Sequence, residues 1–296
     1  DLNHLESLAS SLNTFINSDY CIAGIGGGTV CDTAKFIAWY VKDRFQYDLD
    51  LILIPSIISV DAFLCSSIAV RINNKVNYIG ESNPEQIIID FNLIKKAPKR
   101  LNRAGVSDTI SIASALGDWL IAKEENDEKF NKNVFERAKN IAIKLMKARE
   151  EINQVSEKGI ESLVNGFYEE VVLCEEWGNA RPEEGSEHFL AYCLEALTGD
   201  HYIHGNLIGM NILISLFLQE QYAQFSVEEI GDFFRDISLE FSPEQQNISY
   251  EILKTVLKRI KSYVVEEKLH YSIYNSPQLF LDDDKIENII TFIKSQ

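Results

Sequence analysis

Between residues 24 and 35 the chain reads Gly24-Ile25-Gly26-Gly27-Gly28-Thr29-Val30-Cys31-Asp32-Thr33-Ala34-Lys35. The pattern predicts a strand that ends in glycines and a helix that begins there. Backbone without Cβ atoms can approach a phosphate closely, and the free N–H groups of a first helical turn can bind it. Because the spacing differs from G-x-G-x-x-G, a tight strand-to-helix connection without a ligand is the alternative interpretation.

The pattern of apolar residues changes once along the chain. Short β-branched runs predict strands at 20–25, 51–55, 68–72, 76–79 and 87–90. From residue 105 onward, longer runs with helical spacing predict helices at 107–123, 129–155, 157–177, 187–197 and 204–225, and shorter ones up to 296. We therefore expect an α/β domain with a parallel sheet over residues 1–100 and an all-α domain over residues 101–296.

The composition argues against several classes of protein. With 296 residues, 46% of them hydrophobic, the chain can bury a sizeable core. A net charge of −17 and a single short basic stretch at 95–100 argue against a nucleic-acid partner. Polar residues interrupt the apolar runs, so we expect no membrane span. Five cysteines without a C-x-x-C pair suit reduced thiols, and we expect a cytoplasmic protein.

Three residues have the local context of metal ligands. Asp108 stands at the entry to a predicted helix, where a charge that complements the helix dipole is the alternative interpretation. His188 and His204 lie at the start of consecutive apolar helices joined by a short loop, so their rings can converge. Two imidazoles and one carboxylate leave coordination positions open, which is typical of catalytic Zn²⁺ and also suits Fe²⁺.

These residues and their order resemble the iron-containing, or group III, alcohol dehydrogenase superfamily, which includes 3-dehydroquinate synthase. The similarity runs from about residue 22 to 209 and rests on Gly26 to Lys35, Pro55-Ser56-Ile57-Ile58-Ser59-Val60-Asp61-Ala62, Ile88-Ile89-Asp90, Ala104-Gly105-Val106-Ser107-Asp108, Asp118-Trp119, Arg181-Pro182, Gly185-Ser186-Glu187-His188 and His204-Gly205. Several of these motifs resemble the sn-glycerol-1-phosphate dehydrogenase branch most, and an aspartate at 108 is typical of dehydrogenases rather than of the synthase.

The resemblance implies roles for particular residues. Metal ligands fall on Asp108, His188 and His204, which would hold Zn²⁺ or Fe²⁺. Asp61 matches a residue beside the substrate, although a turn or capping role is the alternative. Contacts with the cofactor, NAD or NADP, fall on the following residues: Gly26, Gly27, Gly28, Asp32, Ser56 and Ser59. His201 and Arg181 are second candidates, the first as an outer contact or a solvent-facing group and the second as an anion contact or a brace of the fold.

Members of the superfamily carry several tens of residues before the glycine run, whereas only a helix-like segment at 2–17 precedes the first strand here. We therefore expect a shortened Rossmann-like sheet without the adenosine half of the cofactor site. Three interpretations stay open: an incomplete sequence of an ordinary dehydrogenase, a shortened protein completed by a partner, or a relative that has lost nicotinamide chemistry.

The resemblance predicts a metal-dependent oxidoreductase of a small polyol phosphate. The expected reaction interconverts glycerol 1-phosphate and dihydroxyacetone phosphate by hydride transfer with NAD(P)H, in a homo-oligomer. Two alternatives remain: a metal-dependent lyase or cyclase acting on a sugar phosphate, and a pseudoenzyme or subunit without nicotinamide binding.

Overall fold

The chain forms two compact units. A computed structural model describes residues 2–12, 19–73 and 75–296, and these divide into Asp1–Asn102 and Arg103–Gln296. The first unit contains a small parallel sheet, and the second, described throughout, contains helices and no strand. The predicted fold class, an α/β region followed by an all-α region, is confirmed. The sequence places the division after residue 100; the structure places it within one short helix, Lys99–Ala104.

The first unit has two sheets. Its elements are α1 (Leu2–Leu12), β1 (Cys21–Gly26), α2 (Gly28–Phe45), β2 (Asp50–Pro55), β3 (Ser67–Ile72), β4 (Lys75–Glu81), β5 (Gln86–Ile87), α3 (Phe91–Lys96) and α4 (Lys99–Ala104). Strands β1, β2 and β5 form a parallel sheet in that order, and β3 and β4 form a separate antiparallel hairpin. Of the helix-like segment at 2–17, the part beyond Leu12 lies outside the described residues.

Helix α2 packs against both sheets of the first unit. On one side, a Cβ at Gly24 of β1 would lie 2.7 Å from Cβ of Ala34 and 2.9 Å from Cδ2 of Leu53, so glycine allows the helix to lie close to the parallel sheet. On the other side, α2 shares an apolar core with α1 and the hairpin, formed by Ala9, Phe36, Ile37, Val41, Leu49, Ile68 and Val70. Burial on both sides fixes where the helix begins, and therefore where the glycine turn lies.

The strand predicted at 87–90 is shorter in the structure. Pairing with β2 ends at Ile87, and Asp90 instead caps α3 by accepting hydrogen bonds from the backbone N–H groups of Asn92 and Leu93. An aspartate before a helix satisfies first-turn N–H groups that have no intrahelical partner. The apolar run at 87–89 could not reveal this change, because the capping contact depends on the residues that follow it.

The second unit is a bundle of helices. They are α5 (Val106–Ile110), α6 (Ile112–Asn126), α7 (Lys132–Lys147), α8 (Arg149–Gln154), α9 (Glu157–Trp177), α10 (Ser186–Thr198), α11 (His204–Gln219), α12 (Val227–Asp236), α13 (Tyr250–Glu266) and α14 (Asp283–Lys294). Helix α11 is buried along nearly its whole length and contacts α5, α6 and α10. Among the described residues, no helix is long and apolar enough to cross a membrane.

Three predicted helices are interrupted or shortened. The helix expected at 107–123 divides at Ser111, whose hydroxyl donates to the carbonyl of Glu183 at 2.6 Å. The one expected at 129–155 divides at Ala148 and ends before Val155, which has a positive φ of 54°. The one expected at 204–225 ends at Gln219 and continues as a 3₁₀ turn. Helical periodicity continues across each point, so it could not locate these ends.

Gly24 in β1 and Gly27 before α2 should respond differently to alanine. Gly24→Ala places a methyl group against Ala34 and Leu53 and should destabilise the first unit by about 1–3 kcal/mol. Gly27→Ala meets no atom within 4 Å at a backbone φ of −83°, and should cost only about 0.5–1 kcal/mol, because alanine is a poorer N-cap residue than glycine. Hydrogen exchange of the β2 amides measures the first unit separately; equal effects of the two changes would contradict this packing.

Candidate functional site

Three helices bring the predicted metal ligands together. Asp108 lies in α5, His188 lies in the first turn of α10, and His204 is the first residue of α11. Oδ1 of Asp108 lies 3.2 Å from Nε2 of His204 and 3.7 Å from Nε2 of His188, and one ligand atom from each residue lies within 4.8 Å of the others. Donors about 2.0–2.2 Å from one ion stand about 3–3.5 Å apart. The donor set therefore fits a small divalent cation.

Mutual contacts keep Asp108 in the form that binds a cation. Burial alone would raise its pKa, but hydrogen bonds with His188 and His204 outweigh burial and hold the pKa well below its ordinary value. Burial alone would lower the pKa of His188, but its contacts with Asp108 and Glu187 raise it. The carboxylate thus stays ionised, and the side chains of Asp108 and His188 are only 12% and 9% exposed.

A buried carboxylate lies on the opposite side of the His188 ring. Oε1 of Glu187 is 2.9 Å from Nδ1 of His188 and also accepts a hydrogen bond from the backbone N–H of Gly185 at 2.6 Å. Oε2 accepts a hydrogen bond from the hydroxyl of Ser114 in α6 at 2.6 Å. Glu187 is fully buried. Glu187 therefore contacts Nδ1 of His188, whereas Nε2 of the same ring faces Asp108.

The start of α10 is capped from α6. Gly185 has no side chain, so Oδ2 of Asp118 can accept a hydrogen bond from the backbone N–H of Ser186 at 2.7 Å, while Oδ1 accepts one from Ile273 at 2.7 Å. A Cβ at Gly185 would lie 2.5 Å from Oδ2 of Asp118. Burial, followed by repulsion from Glu187, raises the pKa of Asp118 from 3.8 to about 6. Asp118 therefore anchors the turn that carries His188.

Arg181 braces the fold. Its guanidinium is fully buried, lies 2.9 Å from Oε1 of Glu128 and donates to the backbone carbonyl of Tyr271 at 2.6 Å. Burial lowers its pKa, and the charge of Glu128 opposes that shift. Of the two interpretations from sequence, the structure favours the brace over the anion contact. His201 is exposed, in keeping with its interpretation as a solvent-facing group.

In the first unit, the glycine turn and two serines lie at the carboxyl edge of the parallel sheet. Gly26 pairs with Pro55 at the ends of β1 and β2, and the backbone N–H of Ser56 donates to the Gly26 carbonyl at 2.9 Å. Ser59 follows in the same loop, and both serines are half-buried. Ligands of open parallel sheets bind at this edge.

The turn itself leaves space in front of the helix. Gly27 precedes α2 without a side-chain cap, so the first N–H groups of the helix have no partner within it. Cβ atoms at Gly26 and Gly28 would meet Val30 and Val60 at 2.5 Å, whereas a Cβ at Gly27 would meet nothing within 4 Å. Gly26 and Gly28 thus allow close packing, and Gly27 faces open space suited to a phosphate.

Asp32 and Asp61 lie elsewhere in the first unit. The Asp32 carboxylate forms an ion pair of 3.0 Å with the buried ammonium of Lys35 and accepts a hydrogen bond from the backbone N–H of Ala69 at 3.3 Å. Asp61 begins a turn in which its carbonyl accepts a hydrogen bond from Leu64 at 2.7 Å. Asp32 therefore links α2 to β3, and its role toward a cofactor, like that of Asp61 toward a substrate, stays a prediction.

The sequence reasoning missed three residues around His188. Asp118, Ser114 and Glu187 were not assigned to the site, although Asp118-Trp119 and Gly185-Ser186-Glu187-His188 were used as motifs. Adjacency to His188 was the available signal for Glu187. No local signal marks Ser114, because its contact with Glu187 joins residues 73 positions apart.

Comparisons with known proteins point to one superfamily. A family model described as iron-containing alcohol dehydrogenase matches residues 1–98. A Thermoplasma volcanium protein named glycerol-1-phosphate dehydrogenase, NAD(P)+, is 28% identical over 260 residues, which span 88% of this chain and 69% of that protein.

Solved structures share the fold. A probable glycerol dehydrogenase from Sinorhizobium meliloti 1021 gives a TM-score of 0.73 at 18% identity, over 99% of this chain and 82% of that one. A 2-epi-5-epi-valiolone synthase from Streptomyces hygroscopicus, solved with NAD+ and Zn2+ bound, gives 0.67 at 13% identity, over 100% and 79% of the two chains.

Removal of one ligand should abolish tight metal binding. Asp108→Asn takes away the carboxylate charge that both rings contact, so zinc affinity should fall by more than about 100-fold, beyond the effect expected of an outer contact. His201→Ala, an exposed histidine three positions before His204, is the matched control and should retain the metal. Elemental analysis measures the metal content of the two variants, and chelator competition measures their zinc affinity. Equal metal content in the two variants would refute the ligand assignment.

Asp118→Asn should change the pH dependence of stability. The folded protein binds a proton at Asp118 more tightly than the unfolded chain does. Asp118 therefore makes its full contribution to the stability of the folded state below the unfolded pKa of 3.8, and this contribution is lost as the pH rises to about 6. Between about pH 4 and pH 7, the free energy of unfolding of the variant should rise by about 3 kcal/mol relative to that of wild type. A pH-independent loss of stability, from the one N–H acceptor that asparagine lacks, is superimposed on this difference. Urea denaturation at several pH values measures the difference, which would be flat if Asp118 had an ordinary pKa.

Proposed function

Because residues 1–98 match an iron-containing alcohol dehydrogenase model and the fold agrees with solved relatives, we propose that this chain is a member of that superfamily. We propose further that it is a metal-dependent, nicotinamide-linked dehydrogenase of a small polyol phosphate. Its proposed reaction interconverts glycerol 1-phosphate and dihydroxyacetone phosphate. The observation that carries the proposal is the convergence of Asp108, His188 and His204, which come from three helices and lie within 4.8 Å of one another.

The donor set supports a catalytic metal rather than a structural one. Two imidazole nitrogens and one carboxylate oxygen occupy three positions and leave others for a substrate oxygen, whereas structural zinc sites are closed by four protein ligands. His204 is 35% exposed, so the cluster can be reached from solvent. The same donors accept Zn²⁺ or Fe²⁺.

The glycine turn supports the nicotinamide cofactor. The first N–H groups of α2, together with the space in front of Gly27, suit the pyrophosphate of a dinucleotide. Ser56 and Ser59, at the same edge of the sheet, can supply further hydrogen bonds. Neither feature distinguishes NAD from NADP, and the proposal covers both.

The protein residues have defined parts in the proposed chemistry. Asp108, His188 and His204 would hold the metal, and the residues of the glycine turn would bind and orient the dinucleotide. When bound, the metal would supply a Lewis acid for the substrate's C2 oxygen, and the nicotinamide would supply the hydride acceptor or donor. Asp61 is the residue we propose beside the substrate, by analogy with glycerol dehydrogenases.

The substrate rests on the named relative. The Thermoplasma volcanium protein, at 28% identity over 88% of this chain, is named for glycerol 1-phosphate. Fold similarity alone would leave the substrate open, because the superfamily contains polyol dehydrogenases and cyclising synthases with the same architecture.

A single sample can test the proposal. Purified protein should contain one divalent metal per chain, bind NADH or NADPH, and reduce dihydroxyacetone phosphate. Gly27→Ala should weaken nucleotide binding by about tenfold, because its methyl group occupies the space left for a phosphate, without loss of metal and with only a small loss of stability. Fluorescence titration and an absorbance assay measure these effects.

Gly24→Ala is the control, because its methyl group meets Ala34 and Leu53 and not the space in front of the helix. It should lower nucleotide binding only as far as it destabilises the first unit. Tightly bound metal without nucleotide binding would favour the lyase or cyclase alternative, and full activity in metal-free protein would overturn the proposal.

A further inference from the structure

We propose that Glu187 is a positioning residue for the metal centre, which fixes the tautomer and ring orientation of His188. This inference rests on the proposed function, because it concerns the same metal site. The buried carboxylate of Glu187 would thus raise the metal affinity of the site, in addition to any contribution to folding.

The contact places a carboxylate on one ring nitrogen of His188 and the metal cluster on the other. Oε1 of Glu187 lies 2.9 Å from Nδ1, and Oδ1 of Asp108 lies 3.7 Å from Nε2. In the neutral form that can ligate a metal, the His188 ring carries one proton, and a carboxylate at Nδ1 keeps the proton there. Nε2 is then left with its lone pair directed toward the cluster, which is the state that ligates a metal.

Glu187 is itself held in place from two elements. The backbone N–H of Gly185 and the hydroxyl of Ser114 donate to its two oxygens, both at 2.6 Å, and the side chain is fully buried. The Ser114 carbonyl in turn accepts a hydrogen bond from the buried amide of Gln219 at 2.8 Å. A hydrogen-bonded series therefore runs from α11 through α6 to His188, so the ring has little freedom to rotate.

The two histidines differ in this respect. Nδ1 of His204 has no acceptor within hydrogen-bond distance among the described residues, and its side chain is 35% exposed against 9% for His188. One ring of the site is thus fixed from behind and the other is held at its metal-facing nitrogen alone. If buried charge were needed only to cap α10, a contact with the His188 ring would not be required, because Asp118 already accepts the Ser186 N–H.

The test compares two glutamates next to the same ring. Glu187→Gln preserves size but removes the charge that holds the Nδ1 proton, whereas Glu184→Gln removes a charge near His188 that makes no hydrogen bond to its ring. Zinc affinity, measured by competition with a chromophoric chelator, should fall by about 10- to 100-fold for Glu187→Gln and by no more than about threefold for Glu184→Gln. Equal losses would mean that charge alone matters and would overturn the inference.

A spectroscopic measurement on wild type separates positioning from folding. In the zinc-loaded protein, ¹⁵N NMR should show His188 protonated at Nδ1 and ligated through Nε2; ligation through Nδ1 would overturn the inference even if Glu187→Gln fails to fold. If Glu187→Gln folds, its thermal unfolding without zinc reports the structural part of the effect.

Failure of the two proposals can be told apart. Wild type that binds no zinc defeats the proposed function and this inference together. Wild type that binds zinc, with unchanged affinity in Glu187→Gln, defeats this inference alone. Ser114→Ala, which removes one donor to Glu187, should lower affinity by a smaller factor than Glu187→Gln.

Discussion

The second unit depends on how the first turn of α10 is satisfied without a local cap. Gly185 supplies no side-chain acceptor, and its lack of a Cβ is what lets the Asp118 carboxylate reach the Ser186 amide. A buried helix terminus with unsatisfied N–H groups would cost about 1–3 kcal/mol for each group. The requirement for a distant carboxylate fixes α10 against α6, and with it the position of His188.

This arrangement concentrates negative charge in an all-helical interior. Asp118 and Glu187 are both fully buried, and each accepts hydrogen bonds from backbone N–H groups near the start of α10. Burial, and after it the charge of Glu187, raises the pKa of Asp118. Arg181, buried nearby and paired with Glu128, offsets part of that negative charge. Charge that would be costly in a purely structural core is consistent with a site that binds a cation.

The sequence predicts those parts of the site that have a local signature. Helical periodicity located α9 at 157–177 without error, and the contexts of Asp108, His188 and His204 were enough to nominate them as ligands. Periodicity could not predict that the helix expected at 107–123 is interrupted at Ser111, whose hydroxyl contacts a carbonyl 72 positions away.

Residues with long-range partners were missed or left open for the same reason. Asp32 resembles a cofactor contact in sequence, but its carboxylate pairs with Lys35 and the β3 backbone, a geometry that only the packing of α2 on the hairpin creates. Arg181 could not be assigned until its partners Glu128 and Tyr271 were known. Local signals identify chemical capability, whereas tertiary contacts decide which capable residue is already engaged.

The three candidate ligands come from separate helices, and this has a consequence for stability. Asp108, His188 and His204 meet only when α5, α10 and α11 are packed, so a cation that binds all three binds the folded unit and not the unfolded chain. Binding free energy then becomes folding free energy for this unit. Because Ser114 connects α6 to the same site, and Gln219 connects α6 to α11, the gain would extend to α6, which contributes no ligand. The buried polar contacts behind His188 would thus couple the metal centre to the packing of the bundle, in both directions.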